Sequence, residues 1–318
     1  MISNDEKFML ELCNRVEASL FRPTPNPKVG CLIVKDDVEI GFGIHRTPGG
    51  PHAEVIAGEI AGESIIGATV YVTLEPCSHV GKTAPCADYL ISKKVAKVVY
   101  GTSDPTQAGG GAQKLKDAGI EVVSNIATQA CERTIASWLH FQETNLPYVL
   151  LKFAKTKDGF IARADGSSKW ISNEESRKLV HQLRAQSDAV LVGSKTAQVD
   201  LPKLDARIDG ADKQPLAVVM GLTDVSLQMP HAKQLFTHEP REALSQMAAL
   251  GIQSVLLEGG RDLANAFLAD GLVDEIWVFE GEATFGSGIP APEISSANWK
   301  VQNQQRIGGD TLTVYVRI

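Results

Sequence analysis

Pro51-His52-Ala53-Glu54, then Thr73-Leu74-Glu75-Pro76-Cys77, then Cys86: these three pieces decide how the rest of the chain is read. They supply one imidazole, two thiols and a carboxylate two residues from the imidazole. Imidazole and thiolate are donors that zinc accepts, and three protein ligands leave the fourth tetrahedral position open, the mark of a catalytic site. Zinc held there lowers the pKa of water from about 16 to about 7, which makes a strong nucleophile available at neutral pH. A structural zinc site would instead want a fourth Cys or His nearby, and His79 is the only obvious candidate. Any one of these residues alone has an ordinary reading, since a single buried Cys is usually a small hydrophobe. The ordered combination carries the chemistry.

His-x-Glu followed by Pro-Cys-x-x-Cys marks zinc deaminases that act on nucleobases, with the Glu a proton carrier and not a ligand. His52-Ala53-Glu54 fits that pattern. The cysteines depart from it, because eight residues, 78–85, separate Cys77 from Cys86 where the common pattern has two. That long spacing narrows the family.

At 318 residues the chain is long for one domain and comfortable for two. Its 43% hydrophobic and 22% charged content are those of a soluble globular protein. The net charge of −7 argues against a nucleic-acid surface, which would want a basic stripe. A small anionic substrate needs only a local cluster of cations. Charged residues interrupt the first 20 positions and no apolar run approaches 18 residues, so neither a signal peptide nor a membrane span fits. The expectation is a cytoplasmic protein, with Cys13, Cys31 and Cys131 as reduced core or semi-buried thiols.

Phe8, Met9, Leu12, Val16 and Leu20 fall near helical spacing and predict a helix over residues 5–20. A Pro-rich loop over 22–27 leads into strands at 30–35 and 40–44. A helix follows from His52 to Ala61, then a buried strand over 68–74 that ends at Glu75-Pro76-Cys77. A short helix starting near Ala84 would set Cys86 in its first turn, where the helix N-terminus favours a thiolate. Strands at 97–101 and 120–123 flank a helix at 112–118, which reads as a sheet with helices on both faces. Residues 124–146 are helix-like and lead to Pro147. A second α/β run follows: strands at 148–154, 189–193, 216–220, 254–258, 274–280 and 311–318. Between them are helices at 173–186, 241–250 and 262–269.

These motifs resemble the bifunctional riboflavin-biosynthesis deaminase/reductase family, and the match runs through nearly the whole chain. Its amino-terminal pieces stand here as residues 24–31 (Thr-Pro-Asn-Pro-Lys-Val-Gly-Cys), Pro51-His52-Ala53-Glu54, Thr73 to His79, and Gly81-Lys82-Thr83-Ala84-Pro85-Cys86. Its carboxyl-terminal pieces are Lys152, Asp158-Gly159, Ser168-Lys169-Trp170-Ile171, Leu183-Arg184-Ala185, Asp200 with Pro202 and Arg207, and Glu258-Gly259-Gly260. The resemblance implies a cytidine-deaminase-like three-layer domain over residues 1–146. A dihydrofolate-reductase-like α/β domain would follow over 147–318. It also implies a diaminopyrimidinone ribosylamino 5′-phosphate substrate, hydrolytic removal of its amino group, and reduction of the ribosyl chain to ribityl with NADPH. Homo-oligomerisation through the second domain is expected on the same ground.

The resemblance also assigns roles. His52, Cys77 and Cys86 would hold zinc, and Glu54 would carry protons. Asn26 and His45 would meet the pyrimidine ring, and His79 and Lys82 the polar groups or phosphate. In the second domain, Ala154, Trp170, Thr196, Asp200 and Gly260 would meet NADPH. Lys152, Ser168, Arg184, Leu204, Arg207 and Glu258 would meet the substrate, Arg184 and Arg207 suiting phosphate through the guanidinium fork. Glu258-Gly259-Gly260 lies between a strand and a helix, where backbone N–H groups can cradle a phosphate.

Several positions depart from the family. Asp104-Pro105-Thr106 replaces Asp-Pro-Asn, Asp200-Leu201 replaces a paired Asp, and Asp205 replaces Thr. Met220-Gly221-Leu222 replaces a polar pattern, the segment between Arg207 and Glu258 is short, and Glu280-Gly281-Glu282 brings acids where a cofactor phosphate would be repelled. Two alternatives stand beside the main reading. One is a deaminase whose second domain is an inactive scaffold or binding module. The other, a nucleic-acid base deaminase, has the acidic charge and the Cys spacing against it.

Overall fold

The computed structural model describes residues 2–79, 84–168, 171–211 and 213–318. It divides into two compact units, residues 1–139 and 140–318.

In the first unit the chain runs α1 (Asn4–Ala18), β1 (Gly30–Lys35), β2 (Val38–Ile44), α2 (Ala53–Ala61), β3 (Thr69–Leu74), α3 (Cys86–Ser92), β4 (Lys97–Thr102), α4 (Gly111–Asp117), β5 (Glu121–Val123) and α5 (Thr128–Thr134). Ser3 starts α1 by accepting a hydrogen bond from the Glu6 N–H at 3.1 Å, which satisfies one of the orphan donors of the first turn. The sheet order is β2-β1-β3-β4-β5, with β1 antiparallel to both neighbours and β3, β4 and β5 parallel.

Period-two alternation builds two cores on this sheet. Cys31, Ile33, Val70, Val72 and Val98 face α2, α3 and α4. Leu32, Val34, Tyr71 and Val99 face α1 and α5 with Met9, Leu12, Val16 and Cys131. The result is three layers. On β2, Gly41 and Gly43 let α2 lie against bare backbone: a Cβ would stand 2.2 Å from the Ala57 carbonyl oxygen and 2.5 Å from that of Ala53. That close seat fixes the start of α2, where His52 and Glu54 reside.

A helix α6 (Ala136–Thr144) carries the division between the units. The second unit contains β6 (Tyr148–Lys155), β7 (Phe160–Ala162), α7 (Glu174–Gln186), β8 (Ala189–Gly193), α8 (Ser194–Asp200), β9 (Leu216–Met220), β10 (Lys233–Leu235) and α9 (Pro240–Ala249). It ends with β11 (Ser254–Leu257), α10 (Arg261–Ala269), β12 (Glu275–Glu280), β13 (Ile289–Pro290), β14 (Trp299–Ile307) and β15 (Asp310–Arg317). Eight strands form one sheet in the order β10-β9-β8-β11-β6-β12-β15-β14. It is parallel from β10 to β12 and closes with the antiparallel β15 and β14.

The nearly continuous apolar runs of β6, β8, β9 and β11 reflect burial on both faces, as a parallel sheet requires. Leu151, Leu191, Val218 and Leu257 pack with α9 and α10 on one side. Val190, Val192, Val219 and Leu256 pack with Leu183 and Ala197 on the other. Asn173 caps α7 by accepting from the Ser176 N–H at 2.9 Å. Among the described residues, no helix is long and apolar enough to cross a membrane.

Candidate active sites

The first site forms where α2, the end of β3 and α3 meet. His52 is the N-cap residue of α2, Cys77 lies three residues past β3, and Cys86 is the first residue of α3. Their donor atoms, His52 Nδ1 and the two Sγ, all lie within 4.8 Å of one another. His52 Nδ1 is 3.1 Å from Cys86 Sγ and 3.6 Å from Cys77 Sγ, and the Cys86 N–H donates to Cys77 Sγ at 3.3 Å. The two thiols share a proton unequally. A hydrogen bond from Cys86, and secondarily one from His52, holds the Cys77 thiol down to about 4, while Cys77 pushes that of Cys86 up. One imidazole and two sulfurs crowded onto a single point are a donor set that fits zinc.

Glu54 sits in the first turn of α2, only 3% exposed, and hydrogen-bonds with Cys86. Burial pushes its pKa up, partly countered by its own backbone N–H and by His52. A carboxyl with a raised pKa accepts and returns a proton more readily than an ordinary one.

Asn26 and His45 are brought together: Asn26 Nδ2 lies 3.0 Å from His45 Nε2, and His45 Nδ1 lies 2.9 Å from the Pro51 carbonyl oxygen. The His45 and His52 rings meet edge to face with centroids 5.2 Å apart. Burial lowers the His45 pKa against the opposing pull of the Pro51 carbonyl. His79 is exposed, and Lys82 lies outside the described residues.

One contributor escaped the sequence reading. Glu75 accepts backbone N–H bonds from Gly110 at 3.0 Å, Ala112 at 3.1 Å and Asp104 at 3.4 Å. Ser78 adds bonds to the carbonyls of Ala108 (2.9 Å, from N–H) and Gly109 (2.6 Å, from the hydroxyl). The Gly-rich loop is thereby fastened to the segment that carries Cys77. Gly111 is required there, because a Cβ would stand 1.8 Å from the Pro76 carbonyl oxygen. A carboxylate two residues before the cysteine and a Gly-rich loop about 30 residues on were both visible, but nothing in the sequence joined them. Thr106, where the family has Asn, turns its hydroxyl onto Asp104 at 2.7 Å.

The second site is a pair of adjoining cavities. The first, about 400 Å³, is lined by Lys152 and Ala154 of β6, Ser168, Arg184 of α7, Thr196 and Asp200 of α8, Arg207, Glu258 and Gly260. The second, about 330 Å³, shares Gly166, Thr196, Asp200 and Gly260 and adds Lys195, Met220, His238 and Arg261. Two connected spaces with the N-terminus of α10 between them suit a dinucleotide beside a smaller molecule. The donor chemistry therefore fits NADPH.

Arg184, expected at a substrate phosphate, has its guanidinium engaged. Nε and Nη2 meet the two Glu258 oxygens at 2.6 and 3.0 Å, and Nη1 meets the Asp205 carbonyl at 3.1 Å. Burial alone would raise the Glu258 pKa, but Arg184 holds the carboxylate below its ordinary range. Lys152 is pushed down by burial, with Glu258 opposing. Leu204 lines neither cavity; it is 2% exposed and shares a core cluster with Leu183. Trp170 lies outside the described residues.

The acids that threatened a cofactor phosphate are diverted. Glu280 pairs with Lys155 at 2.8 Å, Glu282 with Arg306 at 3.5 Å, and neither lines either cavity. Asp205 forms an ion pair with Arg207.

Comparison with known proteins bears on both halves. Residues 2–102 match the cytidine and deoxycytidylate deaminase zinc-binding region, and residues 147–313 match the RibD C-terminal domain. The riboflavin biosynthesis protein RibD of Mycobacterium tuberculosis is 41% identical, over 91% of this chain and 90% of its own. That of Escherichia coli K12 is 36% identical over 89% of each. Among solved structures, Acinetobacter baumannii RibD (form 1) superposes with a TM-score of 0.85 at 34% identity over 100% of both chains. A Thermotoga maritima deaminase/reductase superposes with a TM-score of 0.87 at 31% identity over 99% of both. The chain belongs to the RibD family of bifunctional riboflavin-biosynthesis enzymes, zinc-dependent deaminases joined to NADPH-dependent reductases.

Proposed function

We propose that residues 1–146 deaminate a diaminopyrimidinone ribosylamino 5′-phosphate and that residues 147–318 reduce the ribosyl chain of the product to ribityl. The substrate is that named for the Thermotoga relative, a diaminohydroxyphosphoribosylaminopyrimidine. The convergence of His52 Nδ1, Cys77 Sγ and Cys86 Sγ within 4.8 Å, beside a buried Glu54, carries the first half of the reading.

Zinc, when bound, supplies the Lewis acidity that makes water nucleophilic at neutral pH. His52, Cys77 and Cys86 hold it. Glu54 takes a proton from the attacking water and delivers it to a ring nitrogen, then takes the proton of the added hydroxyl and delivers it to the amino group, which leaves as ammonia. Asn26, with His45 behind it, forms the wall that meets the ring, and His79 and Lys82 serve the polar tail.

In the second half, NADPH supplies the hydride and the protein supplies position. Thr196, Asp200 and Gly260 serve the cofactor from the strip shared by the two cavities, and Ala154 and Trp170 serve it too, as the family resemblance implies. Lys152, Ser168, Arg207 and Glu258 orient the sugar phosphate. Arg184 acts by holding Glu258 ionised, and Leu204 by backing the helix that carries Arg184. The protein is cytoplasmic and assembles as a homo-oligomer through the second domain.

Two measurements on the purified protein test this: ammonia release from the aminopyrimidine substrate with zinc quantified, and NADPH binding followed by fluorescence. Ammonia release with one zinc per chain, together with saturable NADPH binding, is expected. Failure of either removes the corresponding half.

A further inference from the structure

We infer that His45 is a positioning residue: it fixes the Asn26 carboxamide with its oxygen turned toward the substrate, so that the deaminase site selects a pyrimidine presenting an N–H or amino group there. This rests on the proposed reading of Asn26 as a ring contact.

The orientation follows from a chain of donors and acceptors around a neutral His45 imidazole. The Pro51 carbonyl can only accept, and His45 Nδ1 lies 2.9 Å from it, so Nδ1 carries the hydrogen. An imidazole protonated at Nδ1 offers a lone pair at Nε2. Asn26 Nδ2 stands 3.0 Å from that nitrogen and donates to it. The two ends of a carboxamide are told apart by their partners. With the amino end spent on His45, the oxygen is left facing away from the histidine.

Burial sorts the roles of the two residues. His45 is 3% exposed, so it has almost no surface to offer a ligand, whereas Asn26 is only partly buried. His45 is itself held by the bond from its backbone N–H to the Val29 carbonyl at 2.9 Å. Its ring is backed edge-on by His52 at 5.2 Å. Pro51 directly precedes His52, so the relay starts from backbone adjoining the zinc-ligand position and ends at the substrate wall. A reversed carboxamide would present an amino group and favour a ring acceptor. The relay is thus a specificity device, distinct from proton transfer by Glu54.

A double-mutant cycle tests it on the full-length, zinc-loaded enzyme with the diaminopyrimidinone ribosylamino phosphate. Asn26→Ala and His45→Ala should each raise KM roughly tenfold, the scale of one neutral hydrogen bond, with kcat changed by no more than about twofold. The double variant should be no worse than Asn26→Ala, because His45 acts only through Asn26. Effects that multiply would mean that His45 touches substrate itself, and would overturn the proposal. Loss of zinc and kcat in step in His45→Ala would make it merely structural, and would overturn the proposal as well. Nitrogen-15 spectra of histidine-labelled wild-type enzyme decide the matter independently of how the variants fold. A protonated Nδ1 with a bare Nε2 at His45 is expected, and a proton on Nε2 would overturn the orientation. A wild-type enzyme that releases no ammonia would instead defeat the deaminase reading, and the nitrogen spectra would still decide the relay.

Discussion

The two sites are built on opposite plans. The deaminase site is dense and local: its three metal donors come from residues 52–86 and lie within 4.8 Å of one another. The reductase site is dispersed: its walls come from residues 152–289, and one bidentate ion pair, Arg184 with Glu258, lines the first of its two adjoining cavities. In the first, removing one donor removes the chemistry. In the second, the same removal first costs stability, because an unpaired buried charge remains.

The sharpest way to break this contrast is to remove the metal donor. Cys86→Ser should lose zinc and abolish ammonia release while NADPH affinity stays unchanged, as metal analysis and fluorescence titration would read. Lost NADPH binding would mean that the halves are not separable. Next in size, Glu54→Gln should keep zinc near one per chain and lose about 10²–10⁴ in deaminase kcat, the span typical of general acid–base catalysis. A variant that loses zinc too would make Glu54 a ligand.

Glu258→Gln tests the dispersed site. Arg184 and Glu258 side chains are only 13% and 11% exposed, so breaking their pair should destabilise the second unit by about 3–5 kcal/mol. Deamination should persist. Hydrogen-exchange mass spectrometry, read separately on β11 and α10 peptides and on those of the first unit, would resolve the two.

The smallest effect is a pH dependence in the same pair. The folded pKa of Glu258 is depressed below that of the unfolded chain. Its contribution is therefore full above the unfolded value of about 4.3 and is lost as pH falls through the folded value. Protection of β11 and α10 should weaken in that acid window in wild-type enzyme and stay flat in Glu258→Gln. An equal loss in both would assign the acid sensitivity elsewhere.

The same contrast explains what the sequence made legible. The first sheet was readable because each strand alternates between two cores, as Leu32 and Ile33 or Val70 and Tyr71 do. The spacing around His52, Glu54, Cys77 and Cys86 encodes its site almost linearly. β14 was not readable, since Trp299–Ile307 is an edge strand whose middle residues are exposed and polar, with no apolar period to detect. α8 escaped for a related reason: it is a single short helix with only Ala197 fully buried. The cavities themselves arise from residues as far apart in sequence as Lys152 and Gly260, which only the family resemblance linked, or Gly166 and Ile289. The partners of Glu280 and Glu282 were beyond sequence for the same cause, since Lys155 reaches Glu280 through strand pairing and Arg306 reaches Glu282 from β14.

The central claim is that both sites work in one chain. A coupled assay on zinc-loaded enzyme tests it most directly, following the diaminopyrimidinone ribosylamino phosphate with and without NADPH. Deaminated product should form in both cases and become the ribityl compound only when NADPH is present. Deaminated product that accumulates unchanged with NADPH would contradict the account and leave the second domain a scaffold.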